Sequence, residues 1–235
     1  MDENILTDVW NVFALLENEF NNIDYDLPMI QDNFDIWSLR LGDILLRSGS
    51  IFDSFLSTSI NDSELEGHRN ITAVRAKKTL NISDYEKVFN RFYGLSKEAI
   101  YVKSLKRTIK PLADWSSRNK SPEWWKEGYN KLKHDRFKNR QCATLKRTLY
   151  ALASIFLVLI KHIPSRMALV SFKAIQSEPP SLRWHVKELL YSPSGDSSET
   201  CVAESTLFSY VFTDWTDRNT EEAYRKHYDP FMQPD

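Results

Sequence analysis

Four polar side chains that could act together on a substrate lie within one seven-residue stretch: Asn130, Lys133, His134 and Arg136. An imidazole changes its protonation state near neutral pH, so His134 is a candidate general acid or base. Asn130 would position a substrate beside it, and Lys133 and Arg136 would bind phosphate. The candidate catalytic residues are thus His134, Asn130 and Arg136. The alternative is that Asn130 and His134 bond only to backbone or to a neighbouring helix.

The surrounding segment, residues 121–137, is predicted to form the helix that carries these side chains. Ser121 can cap its N-terminus, Pro122 suits the first helical position and Glu123 favours the positive end of the helix dipole. At helical spacing, one stripe is built to pack and consists of Trp125, Tyr129, Leu132 and Arg136. A second stripe is polar and consists of Asn130, His134 and Phe137, flanked by Lys133.

The position of Arg136 leaves two interpretations open. On a regular helix Arg136 and His134 point in very different directions, so they share a substrate only if the helix ends near His134. Otherwise Arg136 would form an ion pair with an acid of the second helix, either Asp43 or Asp53.

The composition is that of an ordinary globular protein: 235 residues, 42% hydrophobic and 27% charged. Six glycines are few for an all-β or Rossmann-type chain, so a helical fold is favoured. The dinucleotide-binding, Walker, nucleophile-elbow and zincin motifs are missing from the sequence. The five histidines are scattered and neither of the two cysteines has a second thiol nearby, so we expect no metal site and no cofactor. With no signal-peptide pattern, we expect a cytoplasmic protein without membrane association.

Charge is distributed very unevenly along the chain. Residues 1–66 hold 14 acidic and 2 basic residues, whereas residues 97–147 hold 15 basic and 5 acidic residues. Aromatic residues interrupt the basic segment, which is one signature of a nucleic-acid surface. The predicted RNA contacts are Lys133, Lys126, Lys131, Lys138 and Tyr129. The alternative is that the acidic first helices neutralise the basic segment inside the same fold.

Apolar periodicity predicts helices over residues 3–24, 33–57, 68–80, 83–93, 122–137 and 140–163, and shorter ones near 182–190 and 220–228. Gly94 is suited to end the helix before it in a left-handed conformation. Strands are expected, if at all, near residues 99–103 and 167–175. The run from Leu149 to Ile160 is almost entirely apolar, so it would be a central core helix or one shared with a second subunit.

Several of these segments together resemble the HEPN-like all-helical proteins of bacterial toxin–antitoxin and phage-defence systems. The resemblance covers residues 30–163 and consists of residues 111–115, Trp124 and Trp125, the motif over 129–136 and the apolar helix 149–160. It implies an all-α fold, an up-and-down helical bundle over residues 1–164, with a less regular C-terminal extension over 165–235 packed on it. It also implies a homodimer in which the site helices of two subunits face each other.

The resemblance further implies a metal-independent ribonuclease, because active members use an arginine, a polar residue, three further residues and a histidine. Asn130 and His134 match the last two positions, whereas Tyr129 stands where the arginine belongs. Tyr129→Arg would therefore be expected to raise activity. The function expected is that of an RNA-directed protein, either an endoribonuclease or a non-catalytic interaction or nucleotide-sensing module, with an antitoxin or defence-complex protein as a further partner.

Overall fold

The computed structural model describes residues 2–24, 27–116, 118, 120–178 and 200–212. The helices are α1 (Glu3–Asp24), α2 (Leu39–Ser59), α3 (Ile71–Arg75), α4 (Ile82–Tyr85), α5 (Arg91–Tyr93), α6 (Asn130–His134), α7 (Leu145–Lys161) and α8 (Ile163–Ser171). The strands are β1 (Ile100–Val102), β2 (Arg107–Ile109), β3 (Ile175–Glu178), β4 (Thr200–Glu204) and β5 (Phe208–Phe212). The prediction of a mostly helical protein is confirmed. The prediction of an all-α fold is wrong, because these five strands form one sheet.

Shorter helical segments join these elements. Three are 3₁₀ turns, at Gln31–Asn33, Ser63–Leu65 and Arg140–Cys142. Two are π-helical: Glu86–Asn90, which joins α4 to α5, and Trp124–Tyr129, which runs directly into α6. Gly94 follows α5 with a φ of 67°, so its predicted left-handed stop is confirmed. The helices expected near 182–190 and 220–228 lie outside the described residues.

The centre of the molecule is the packing of α2 against α7. Both helices begin with a side-chain cap: Ser38 accepts a hydrogen bond from the Leu41 amide, and Thr144 accepts one from the Arg147 amide. Every residue from 151 to 161 of α7 is buried within the single chain, against α1, α2 and α8. The apolar character of α7 is therefore accounted for without a second subunit, and the homodimer stays a prediction.

Between α7 and α8 the chain turns by 91°. His162 lies at the turn with an extended backbone, and Pro164 occupies the first turn of α8. Among the described helices, none is by itself long and apolar enough to cross a lipid bilayer.

The sheet unites the two halves of the chain. Its strand order is β2-β1-β5-β4-β3 and every pairing is antiparallel, with Tyr101 opposite Ser209 where the halves meet. The turn before β5 is held by α1, because the Glu17 carboxylate accepts hydrogen bonds from Ser205 Oγ at 2.5 Å and from the Leu207 amide at 2.7 Å. The strand expected near 99–103 is confirmed as β1. Of the other segment where a strand was expected, 167–175, most belongs to α8, and β3 begins at its last residue, Ile175.

Candidate functional site

The predicted catalytic side chains lie on a helix of unusual geometry, the π segment Trp124–Tyr129 followed by α6, which we call the site helix. The Asn130 amide donates to the Trp125 carbonyl, five residues back, as in a π-helix. The site helix ends at His134, since Asp135 has an extended backbone with φ −154°. The condition under which Arg136 could turn toward the same region as His134 is therefore met. π-Helical segments are rare and often occur at functional sites.

One face of the site helix is buried against the rest of the protein. Trp125, Tyr129 and Leu132 are 5%, 4% and 2% exposed, as their stripe predicts. The Tyr129 ring lies directly over Gly49 of α2, where a Cβ atom would come within 2.2 Å of Tyr129 Cδ2. Tyr129 was a predicted RNA contact, but its burial leaves no ring face on which a base could stack. At the position where the HEPN-like pattern has arginine, this chain has a packing residue.

The opposite face of the site helix carries Asn130 and His134, one helical turn apart. Asn130 is half-buried and His134 is exposed. Neither side chain hydrogen-bonds to another described residue. The described part of the chain therefore gives no support to the alternative that Asn130 and His134 bond only to backbone or to a neighbouring helix. Lys133 lies beside them, with its ammonium 5.4 Å from the centre of the Tyr129 ring.

After the site helix, an ordered turn presents an aromatic ring to solvent. Phe137 is 83% exposed. The turn is held on both sides of it, because the Asp135 carboxylate accepts from the Lys138 amide at 3.0 Å and the Asn139 side chain donates to the Lys131 carbonyl at 2.9 Å. A single exposed apolar side chain is ordinary on a protein surface, so the significance of Phe137 depends on the groups beside it.

The cations around this turn fall into two groups. Lys126 and Lys131 share one carboxylate, that of Glu127, at 3.5 and 2.6 Å. Arg136 pairs with Asp43 of α2 at 2.5 Å, which confirms the ion pair that the sequence suggested as one of two possibilities.

The second group makes no ion pair with a described residue: Lys133, Lys138 and Arg140. The Arg140 guanidinium lies instead over the half-exposed Trp37 ring, 5.4 Å from its centre. These three cations together with His134 and Phe137 are called the basic surface below. It combines uncompensated positive charge with an exposed aromatic ring.

A second constellation lies inside the molecule and was not predicted. It consists of Asp62, Glu64 and His162, which we call the histidine–carboxylate cluster. His162 Nε2 lies 2.8 Å from Asp62 Oδ2 and 3.2 Å from Glu64 Oε1, and its Nδ1 lies 2.6 Å from Ser165 Oγ. The His162 side chain is 1% exposed and those of Asp62 and Glu64 are 7% and 11% exposed.

Three parts of the fold meet at this cluster. Asp62 directly precedes the 3₁₀ turn after α2 and Glu64 lies within it. His162 lies at the α7–α8 turn, and Tyr93 of α5 donates its hydroxyl to Glu64 Oε1. Burial alone would raise the pKa of Asp62, but hydrogen bonds and positive charge, those of His162 first among them, outweigh burial and lower the pKa. For Tyr93, burial first and the charge of Glu64 second raise the pKa, so its hydroxyl stays a donor.

Sequence reasoning could not find this cluster, since its histidine and its carboxylates are about 100 residues apart and match no local spacing rule. The three groups are all potential metal ligands, and their donor atoms lie within 4.8 Å of one another. The expectation of no metal site was based on the scatter of histidines along the chain, and the fold brings one of them to two carboxylates.

Comparisons with known proteins do not assign the chain to a family. No family model matches the chain, and neither a curated protein nor a solved structure matches it at a significant level. The HEPN-like resemblance therefore stays a prediction from the residues of the motif.

Proposed function

We propose that this protein binds single-stranded RNA through the basic surface. The observation that carries the proposal is the braced turn on which an 83% exposed Phe137 lies within four residues, along the chain, of three cations that have no carboxylate partner among the described residues. The resemblance to RNA-directed HEPN-like proteins points in the same direction.

The charges of the basic surface suit a phosphate backbone. A cation already paired with a carboxylate gains little from a phosphate, whereas Lys133, Lys138 and Arg140 have no described ion-pair partner to give up. Among the described residues, the Arg136–Asp43 ion pair links the basic segment 97–147 to the acidic residues 1–66, and it involves none of these three cations. Binding that neutralises several phosphates releases counterions and weakens steeply with salt.

The aromatic ring of the basic surface suits an unpaired base. Bases of single-stranded RNA stack on aromatic side chains and on arginine guanidinium planes, and a ring exposed on a rigid turn needs little ordering to receive one. Phe137 would stack on a base while the neighbouring cations contact the phosphates on either side. Duplex RNA buries its base faces, so it should bind more weakly.

Binding is tested with a fluorescent single-stranded RNA at several salt concentrations. Three phosphate contacts would give a slope of log K against log salt of about −2. Lys138→Glu and Phe137→Ala should each weaken binding, and Phe137→Ala should leave the salt slope unchanged because it removes stacking alone. Lys126→Glu is the matched control: it reverses the same charge on the site helix, at a lysine that already shares Glu127. If the protein does not bind single-stranded RNA even at low salt, the proposal is wrong.

A second activity, cleavage of the bound RNA, is supported by the position of His134. Its exposed imidazole is free of described partners, stands one turn from Asn130 and borders the basic surface. His134 would act as general base or acid toward the RNA 2′-hydroxyl, so DNA would be spared. In a homodimer, the cation missing at position 129 would come from Lys133 or Arg136 of either copy.

The cleavage test is incubation of RNA with the protein in EDTA beside His134→Ala. Acid–base assistance is typically worth about 10² to 10⁴ in rate, so loss of His134 should be obvious. His68→Ala removes a histidine that packs against Phe92 and serves as the control. RNA that binds but stays intact in wild-type protein would leave a non-catalytic RNA-binding module.

A further inference from the structure

The histidine–carboxylate cluster is incomplete as a set of hydrogen bonds. Glu64 Oε2 is buried and has no hydrogen-bond partner among the described residues, although Tyr93 donates to Oε1 of the same carboxylate. A buried carboxylate oxygen left without a donor costs free energy, so such an atom needs an explanation. His162 Nε2 carries at most one proton, so while it donates to Asp62 it cannot also donate to Glu64.

We propose that Asp62, Glu64 and His162 bind a divalent metal cation, either Zn²⁺ or Mn²⁺. This inference is independent of RNA binding, since none of the three residues belongs to the basic surface. A cation would add positive charge beside both carboxylates, and if Glu64 bound it through both oxygens, Oε2 would gain a partner. It would also attach the segment after α2 to the turn between α7 and α8.

The distances within the cluster suit such an ion. Metal–ligand bonds of about 2.0–2.2 Å place neighbouring donor atoms about 3.0–3.5 Å apart. The separations from His162 Nε2 to the two carboxylate oxygens are 2.8 and 3.2 Å, so a small outward movement of Asp62 makes room.

The surroundings of the cluster hold the ligands as a metal site requires. His162 Nδ1 lies 2.6 Å from Ser165 Oγ, so its N–H can donate to the hydroxyl while Nε2 faces the carboxylates. The hydroxyl of Tyr93 orients Glu64 in the same way. Phe55 covers the imidazole edge-on, with ring centres 5.2 Å apart.

The donor set selects the class of metal. One imidazole nitrogen with carboxylate oxygens suits Zn²⁺ or Mn²⁺, whereas Mg²⁺ and Ca²⁺ prefer oxygen ligands alone. The cluster is buried, so the ion would serve the fold rather than a substrate.

The experiment measures thermal unfolding of the full chain, stripped with EDTA and then titrated with Zn²⁺, Mn²⁺ or Mg²⁺. We expect Zn²⁺ or Mn²⁺ to bind in about one equivalent and to raise the Tm by several degrees, because a ligand of the folded state stabilises it. Mg²⁺ at the same concentration should have little effect. Glu64→Gln keeps the side-chain shape and an oxygen for Tyr93, and it should weaken metal affinity at least about tenfold.

Asp84→Asn is the matched control. Asp84 is fully buried and paired with Lys77 and Lys87, away from the cluster, so its loss should lower the Tm while the metal-induced shift remains. If Glu64→Gln fails to fold, Co²⁺ binding to the wild-type chain is followed by its visible absorption, which one equivalent of Zn²⁺ should abolish. Substoichiometric binding of all three metals, or an equal shift in Glu64→Gln and wild type, would show a proton-sharing network and overturn the proposal.

Discussion

Two histidines of this protein have opposite surroundings. His134 is exposed at the end of the site helix and has no described hydrogen-bond partner, whereas His162 is 1% exposed with a partner at each ring nitrogen. The first is accessible to a ligand from solvent and contributes little to the fold. The second joins segments that are far apart in sequence. Motif matching selects the first histidine, and coordinates are needed to notice the second.

Hydration explains why unpaired charges are tolerated on the basic surface and are costly in the histidine–carboxylate cluster. Uncompensated cations on the basic surface are solvated, so they cost little until a phosphate arrives. Two carboxylates in the interior lose their hydration, and they persist only with partners that restore the interactions lost from water. An exposed charge without a partner is thus available to bind a ligand from solvent. A buried charged atom without a partner indicates instead that a partner is missing.

The largest expected difference between the two regions is in stability. His162→Ala leaves two buried carboxylates without their nitrogen partner, so we expect it to lower the free energy of unfolding by about 3–5 kcal/mol. His134→Ala should change it by less than about 0.5 kcal/mol. Urea denaturation in EDTA measures both without contribution from a metal. Equal losses in the two variants would show that we have misjudged which histidine supports the fold.

The next largest effect concerns Tyr129. The motif pattern predicts that Tyr129→Arg restores activity, but the ring is 4% exposed and lies against Gly49, so the substitution removes core packing and buries a charge. We expect it to lower the free energy of unfolding by about 3 kcal/mol. Tyr129→Phe keeps the ring and should cost less than about 1 kcal/mol. A stable Tyr129→Arg protein with raised RNA cleavage would instead support the motif-based prediction that an arginine at this position increases activity.

Much of the helical architecture could be predicted from the sequence, because helix signals are local. Apolar spacing located α1, α2 and α7, and the stripe on the site helix identified which residues pack. The Arg136–Asp43 pair was among the alternatives, because α2 contains two acids, Asp43 and Asp53, and both were named as candidates. The π segment was not predicted, because the same residue types form ordinary α-helix and the difference depends on packing.

The sheet and the cluster could not be predicted for the opposite reason. β5 pairs with β1, about 107 residues earlier in the chain, and strands of three to five residues have too few positions to show alternation. The cluster likewise depends on contacts across 100 residues. Long-range proximity leaves no spacing pattern in a single sequence.

A smaller effect is expected in the pH dependence of stability. The folded-state pKa of Asp62 is lowered, so its contribution to stability is present above its unfolded pKa of about 3.9 and is lost as pH falls through the folded value. In EDTA, wild-type protein should therefore lose stability below pH 4 more steeply than Asp62→Asn. Urea midpoints measured from pH 6 to pH 3 compare the slopes.

Glu17 provides the control with the opposite sign. Burial is the main cause of its raised pKa, so the folded state binds its proton more tightly and gains stability as pH falls through that raised value. Glu17→Gln should accordingly make the acid loss of stability steeper. Parallel curves for wild type, Asp62→Asn and Glu17→Gln would contradict both assignments.

The smallest expected effect is that of the ion pair beside the basic surface. Arg136 and Asp43 lie 2.5 Å apart, but their side chains are 39% and 52% exposed, so water screens their attraction. A double-mutant cycle with Arg136→Ala, Asp43→Ala and both together should give a coupling energy of about 0.2–1 kcal/mol. The pair should weaken further in high salt. A coupling above about 2 kcal/mol would mean that Arg136 fixes the site helix to α2 as firmly as a buried pair does. In that case Arg136 would be a structural residue, and its place among the candidate catalytic residues would be lost.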